Sequence, residues 1–269
     1  MSGGIEQLYG EFWGPGHRRA RELIQTTLHP RDDESLYELF AQTGASAGDW
    51  VLDIGCRDAK YAIELARRFG CRMIGIDAVP YNIAIASELI TNWSLEEQIS
   101  VAEGRIEDLP YDDATIDHIW CRDMLNHVDL ATGLRESYRV LKSGGQMLVY
   151  QTFAGDHLEP DEAARIFAGL SIVPESMSTD AMESVATDVG FEIEVRDVIA
   201  SEWRESWIET GDMTIATDLL QIARMRRAEH EMVEHIGRAQ YEAELAVRLW
   251  AVYQLLGKLV PVAYLLRKP

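Results

Sequence analysis

From about residue 50 to residue 153 the chain alternates short apolar runs with longer stretches in which apolar positions recur every three or four residues. Short continuous runs suit strands buried on both faces, and the helical period suits the helices that cover them. WVLDI (50–54), CRMIGID (71–77), ISVAEG (99–104), IDHIWCRD (116–123) and QMLVYQTF (146–153) read as strands. Between them KYAIELARRF (60–69), a helix opened by Pro80, and LATGLRESYRVLK (130–142) read as helices; Gly70 follows the first, and a Ser143, Gly144, Gly145 turn follows the last. Strands alternating with helices predict right-handed crossovers and a doubly wound, mostly parallel α/β sheet.

The flanks differ. Residues 17–43 carry helical spacing broken by Pro30, so two short helices are expected there. After residue 155, EPDEAARIFAGL (159–170) and TDAMESVATDV (179–189) read as helices and FEIEVRDVIA (191–200) as a strand. Residues 202–257 read as one long helical stretch with Leu245, Leu249, Val252 and Leu256 on a buried stripe, and a last strand begins at Pro261. The expected organisation is an N-terminal helical flap (1–44), a core (45–200 and 258–269) and a helical insertion or lid (201–257).

Composition narrows the function classes. With 47% hydrophobic residues, 269 residues can bury a real core. No run approaches the roughly 18 apolar residues of a membrane-crossing helix, and the first residues, MSGGIEQLYGEF, lack a signal peptide's regions, so a soluble, cytoplasmic protein without a membrane partner is expected. Three cysteines at wide spacing give neither a zinc site nor a disulfide scaffold, and no metal is expected. Net charge is −20, with 45 acids against 25 Lys and Arg, which repels phosphate backbones and argues against nucleic acid. The same balance mildly favours neutral or cationic small molecules over anionic ones. Oligomeric state stays open, and a homodimer is compatible with the sequence.

In an open parallel sheet, ligands sit beyond the carboxyl ends of the strands where strand order reverses. The first strand runs into VLDIGCRDAKY (51–61), with Asp53 and Gly55 leading the loop. Asp77 closes the second strand 24 residues after Asp53, about the separation at which an acid meets ribose hydroxyls. EGRIED (103–108) follows the third strand. Cys121, Arg122 and Asp123 end the fourth, with Asn126 and His127 just beyond.

In order, VLDIGC (51–56), GIDAVP (75–80), EGRIEDLPYDDATIDHIWCRDMLNHV (103–128) and YRVLKSGGQMLVYQ (138–151) resemble the motifs of class I S-adenosylmethionine-dependent methyltransferases of the small-molecule branch. The likeness is close over about residues 45–153, and GFEIEVRDV (190–198) and VAYLLRKP (262–269) fit that family's last two strands. It implies a seven-stranded sheet with its last strand antiparallel and S-adenosyl-L-methionine as cofactor. It also implies that Asp53, Gly55 and Cys56 pass close to the cofactor's methionine part and that Asp77 binds both ribose hydroxyls, with Ala78 beside the adenine. Ile106 and Glu107 would meet the adenine edge, and Cys121 and Arg122 the amino-acid tail. Two departures stand out. Arg105 replaces an acidic or small polar residue, which moves the adenine amino contact toward Glu107 or Asp108. Arg57 and Ala59 stand where glycines are usual; Arg57 either points outward or pairs with the cofactor carboxylate.

A sulfonium methyl is already activated, so the protein has mainly to align the acceptor and exclude water, with a base where the acceptor holds its proton. His127 is the candidate base, or else a histidine satisfied by a backbone carbonyl. Asp123 is placed to orient His127, bind an amine or cap a helix. Two segments are candidates to cover the acceptor: one carrying Tyr9, Trp13 and His17, the other carrying Trp203 and Trp207, which either line the pocket or dock on the sheet. The acceptor reads as a small metabolite methylated on oxygen, nitrogen or carbon; the alternative is a non-catalytic cofactor-binding relative acting as an interaction module. A nicotinamide enzyme is disfavoured, since Gly55 is followed by Cys, Arg, Asp, Ala and Lys and not by G-x-G-x-x-G spacing.

Overall fold

The computed structural model describes Gly4, residues 17–26 and residues 31–269. Met1–Pro30 and Arg31–Pro269 form two units. The described part of the first carries one short helix, α1 (Arg18–Ile24), none of whose side chains is buried.

The second unit opens with α2 (Asp33–Ala41), started by a capping box in which Asp32 accepts the Glu34 and Ser35 amides and Ser35 Oγ accepts the Asp32 amide. Its Leu36, Tyr37, Leu39 and Phe40 are buried in a cluster with Val51, Leu65, Met73 and Trp120. This helix, grouped by its sequence with the flap, therefore packs within the sheet's own core.

The sheet holds seven strands in the order β3-β2-β1-β4-β5-β7-β6. In chain order these are β1 (Trp50–Ile54), β2 (Arg72–Asp77), β3 (Ile99–Glu103), β4 (Ile116–Arg122), β5 (Leu141–Ala154), β6 (Glu192–Val198) and β7 (Leu259–Arg267). β1 pairs in parallel with both β2 and β4, while β7 is antiparallel to β5 and β6. Helices α3 (Lys60–Phe69), α4 (Pro80–Asn92) and α5 (Leu130–Val140) cross between the parallel strands, and α6 (Pro160–Leu170) and α7 (Thr179–Val189) lie between β5 and β6 in the chain. Strand alternation sends Val51, Trp120, Leu148 and Tyr150 to one apolar cluster and Leu52, Ile54, Ile119, Cys121, Met147 and Val149 to the other. Burial on both faces explains why these strands read as nearly continuous apolar runs.

Three sequence expectations change. The Ser143–Gly145 turn is absorbed into β5 as an irregularity: pairing with β4 jumps from Ile116 with Leu141 to His118 with Gln146, and the Gly144 amide bonds the Lys268 carbonyl. β7 begins at Leu259, two residues before Pro261. The Pro261 carbonyl accepts the Ile199 and Ala200 amides just past the end of β6, so its missing amide faces the side where pairing runs out. Residues 202–255 form four helices, α8 (Glu202–Glu209), α9 (Thr214–Arg227), α10 (Glu229–Ile236) and α11 (Arg238–Leu255). Gly211 and Gly237, at φ +86° and +81°, supply two of the breaks. Leu245, Leu249 and Val252 are buried in a third cluster, but Leu256 lies past the end of α11 and is exposed.

Candidate functional site

The loop after β1 is held to the end of β2. The Gly55 and Cys56 amides both donate to the Ile76 carbonyl at 2.9 Å. Gly55 sits at φ +75°, and a Cβ there would come within 3.2 Å of Met124, so the bend needs glycine twice over. The Cys56 side chain turns onto the sheet, where a Cβ on Gly75 would meet its sulfur at 2.8 Å. Only the backbone of Cys56 is left to face a ligand, and burial pushes its thiol pKa up.

Arg57 and Ala59, at positions where the resemblance implies glycine, adopt left-handed geometry at φ +49° and +62°. The Arg57 side chain is exposed, while its amide donates to Asp77 Oδ2 at 3.0 Å. A non-glycine residue in this region costs about 1–2 kcal/mol. Arg57→Gly should therefore stabilise the fold by about 1 kcal/mol in denaturant melts; an unchanged midpoint would mean that this loop does not hold the left-handed conformation.

Asp77 is the pin of the site. Its Oδ1 accepts the Val79 amide (2.9 Å) and Asn82 Nδ2 (3.0 Å), and its Oδ2 accepts the Arg57 amide. A carboxylate has about four acceptor positions, so roughly one stays open, on Oδ2. Behind it Asp53 is 2% exposed, with Oδ2 unpartnered. Desolvation, reinforced by the charges of Asp77 and Asp58, pushes the Asp53 carboxyl up to about 7.

Asp77 lies between two adjoining cavities. One, of about 520 Å³, is lined by Asp53, Gly55, Arg57, Tyr61, Arg122 and Asp123 among others. The second, about 360 Å³, runs along Ala78, Val79, Ile106, Glu107, Met124 and Val128. Together they offer a polar half beside a tight backbone bend, a carboxylate in the middle and an apolar slot for a flat ring. That sequence of chemistries fits an adenosyl cofactor with an amino-acid tail.

His127 borders both cavities and a third of about 240 Å³ walled by Leu170, Ile172, Val247 and Trp250. Its Nδ1 lies 3.2 Å from the Ser171 carbonyl. Asp123, at φ +48°, does not serve His127 and does not cap the short helix Leu125–His127. Its Oδ1 accepts the Thr152 amide and hydroxyl, at 3.2 and 3.0 Å. Gln254 donates to that hydroxyl and receives Arg204 Nε, so a chain of hydrogen bonds ties the end of β4 to α11 and α8. Burial raises the Asp123 pKa.

The remaining expected residues divide. Cys121 is fully buried in the second core cluster and lies outside both cavity walls, while Arg122 lines the first of them. Trp203 is 1% exposed and packs on Tyr150, ring centroids 5.2 Å apart. It also lines, with Trp207, a fourth cavity of about 660 Å³. Tyr9 and Trp13 lie outside the described residues; His17 belongs to the first unit, at the start of α1. Sequence reasoning missed Asn82, Met124, Lys60 and Tyr61. Asn82 was signalled by its place in the first turn of the helix after Asp77; the others become visible only when β1 and β4 are set side by side. Among the described residues no cluster of metal-ligating side chains occurs, and no helix is long and apolar enough to cross a membrane.

Residues 52–149 match a family model described as a methyltransferase domain. The chain is 32% identical over 196 residues to a sterol 24-C-methyltransferase of Eremothecium gossypii, covering 70% of this chain and 52% of that protein. It thus spans about half the length of that relative. It is 24% identical to the 27-O-demethylrifamycin SV methyltransferase of Amycolatopsis mediterranei, over 90% of this chain and 85% of the relative. Geranyl diphosphate C-methyltransferase from Streptomyces coelicolor A3(2), solved with Mg2+, geranyl diphosphate and S-adenosyl-L-homocysteine, superposes with a TM-score of 0.67. That match covers 97% of this chain and 86% of the other, and at 14% identity it speaks for the fold alone. With the ordered motifs, the sheet order and an acid-centred double cavity all in place, residues 52–149 form a methyltransferase domain, similar to relatives named for small-molecule acceptors.

Proposed function

We propose that this protein moves the methyl group of S-adenosylmethionine to an oxygen of a small organic acceptor, with His127 taking the acceptor's proton. The observation that carries this reading is the setting of His127, where three cavities meet and a carbonyl holds one ring nitrogen. A carbonyl only accepts, so the neutral ring keeps its proton on Nδ1 and leaves the Nε2 lone pair available. An amine or stabilised carbanion needs such a base less than a hydroxyl does.

The bound cofactor supplies a methyl on a sulfonium, activated for displacement. The chain's own residues do the rest. Asp77 and the Gly55–Arg57 backbone hold the ribose and the amino-acid tail, and Ala78, Ile106 and Met124 enclose the ring. Leu170, Ile172, Val247 and Trp250 receive the acceptor's apolar body, which on binding would cover the exposed His127. The helices of residues 202–255 act as the lid.

Calorimetry with S-adenosylmethionine, followed by hydroxylated, amine and carbon-acid acceptors with methyl gain read by mass, tests this. Saturable binding and methylation of hydroxylated acceptors are expected. No binding would end the reading, transfer only to nitrogen or carbon would overturn the oxygen assignment, and binding without transfer would favour an interaction role.

A further inference from the structure

Arg204, on α8, is 8% exposed and stacks on Trp207 with its guanidinium 3.9 Å from the ring centroid. Its Nε donates to Gln254 Oε1 at 2.5 Å. Among the described residues its two terminal nitrogens meet no acceptor and no carboxylate pairs with it, and Arg204 lines the fourth cavity. A desolvated guanidinium is costly until a charge offsets it, and here Asp123 and Asp218 act on it only from beyond ion-pair distance, so the group is suited to an anion.

The rest of that wall is already matched. Asp33 pairs with Arg122 at 2.5 Å and Lys60 at 3.9 Å, and Glu34 and Glu64 pair with Arg68 at 2.5 and 2.6 Å. Asp32 accepts two amides of α2. Arg122 is further held against the rings of Tyr61, Tyr150 and Trp203, at 4.5, 5.1 and 5.0 Å.

We propose that the fourth cavity is a binding site for a small aromatic carboxylate, held by a two-pronged ion pair to the terminal nitrogens of Arg204 between Trp203 and Trp207. A guanidinium matches a carboxylate in plane and spacing. The wall's other cations, Lys60, Arg68 and Arg122, are already paired with its acids, so Arg204 alone is left to meet a ligand, and one guanidinium matches a monoanionic carboxylate better than a dianionic phosphate monoester. The local guanidinium thus overrides the bias against anions set by a net charge of −20. The cavity shares Lys60, Tyr61 and Arg122 with the cofactor cavity, so its occupant sits next to that cavity. The site stands whether or not the acceptor is methylated on oxygen.

The test is titration of the full chain with benzoate, benzamide and phenyl phosphate, with and without saturating S-adenosylhomocysteine, read by the indole NMR signals of Trp203 and Trp207 assigned through single Phe variants. Benzoate should move both signals saturably, and benzamide and phenyl phosphate should bind at least about tenfold more weakly. Arg204→Gln should cost benzoate at least about tenfold, and Arg204→Lys less. Equal affinity for benzoate and benzamide in the wild type overturns the proposal even if Arg204→Gln fails to fold. So does unchanged affinity in Arg204→Gln. Tighter binding of phenyl phosphate overturns the choice of carboxylate. Loss of benzoate binding under S-adenosylhomocysteine would assign Arg204 to the cofactor's own tail and overturn a separate site, while failure of S-adenosylhomocysteine itself to bind bears only on the methyl-transfer reading.

Discussion

His127→Ala should lower kcat by about 10²- to 10⁴-fold, the usual contribution of a positioned general base. Affinity for S-adenosylmethionine should stay within about twofold, because the ring borders the cofactor cavities without being bonded to the loop that closes them. The two readings of His127 then separate cleanly. If it only orients the wall, His127→Gln, which can still bond the Ser171 carbonyl, should keep most activity. If it moves a proton, Gln should be as poor as Ala, and added imidazole should restore part of the rate to the Ala variant alone. Equal kcat in wild type and both variants would remove the base from the reaction.

How much of this could be read from the residues depends on what each residue's position is decided by. Strands that are buried on both faces announce themselves as apolar runs, so β1, β2 and β4 were legible to within a residue or so, and the acid ending β2 followed from them. The loop after β1 was legible in place but not in conformation. Arg57 and Ala59 are poor choices for positive φ, and the bend is held by bonds that leave no trace in the sequence, from the Arg57 amide to Asp77 and from the Gly55 and Cys56 amides to the Ile76 carbonyl. Cys121 shows the opposite error: a residue next in sequence to site residues is packed into the second core cluster and lines neither cavity. The breaks in residues 202–255 were underread because a glycine between two amphipathic stretches does not interrupt the period. Asp123 was misjudged because its partner, Thr152, sits on a different strand, and pairing across a sheet leaves no local trace. Arg204 left none either, since a cation unpaired in space looks like any other in sequence.

Asp77→Ala should weaken S-adenosylmethionine binding by about 1–3 kcal/mol, which is roughly ten- to a hundredfold in Kd. The carboxylate carries two loads that the substitution removes together. One oxygen keeps room for a ribose hydroxyl, while three protein donors, from Arg57, Val79 and Asn82, already converge on the pair. Taking the carboxylate away strands the Arg57 amide and frees the β1 loop, so the variant should also lose thermal stability without ligand. Asn82→Ala isolates the ligand's share. It deletes one protein donor and leaves the charge, opening a second acceptor position for the other hydroxyl, so it should bind the cofactor no worse than about twofold below wild type. Should Asp77→Ala bind as tightly as the parent in calorimetry, the second strand would not end at the sugar. Should Asn82→Ala lose as much affinity as Asp77→Ala, the carboxylate would matter for shaping the loop and not for holding the ribose.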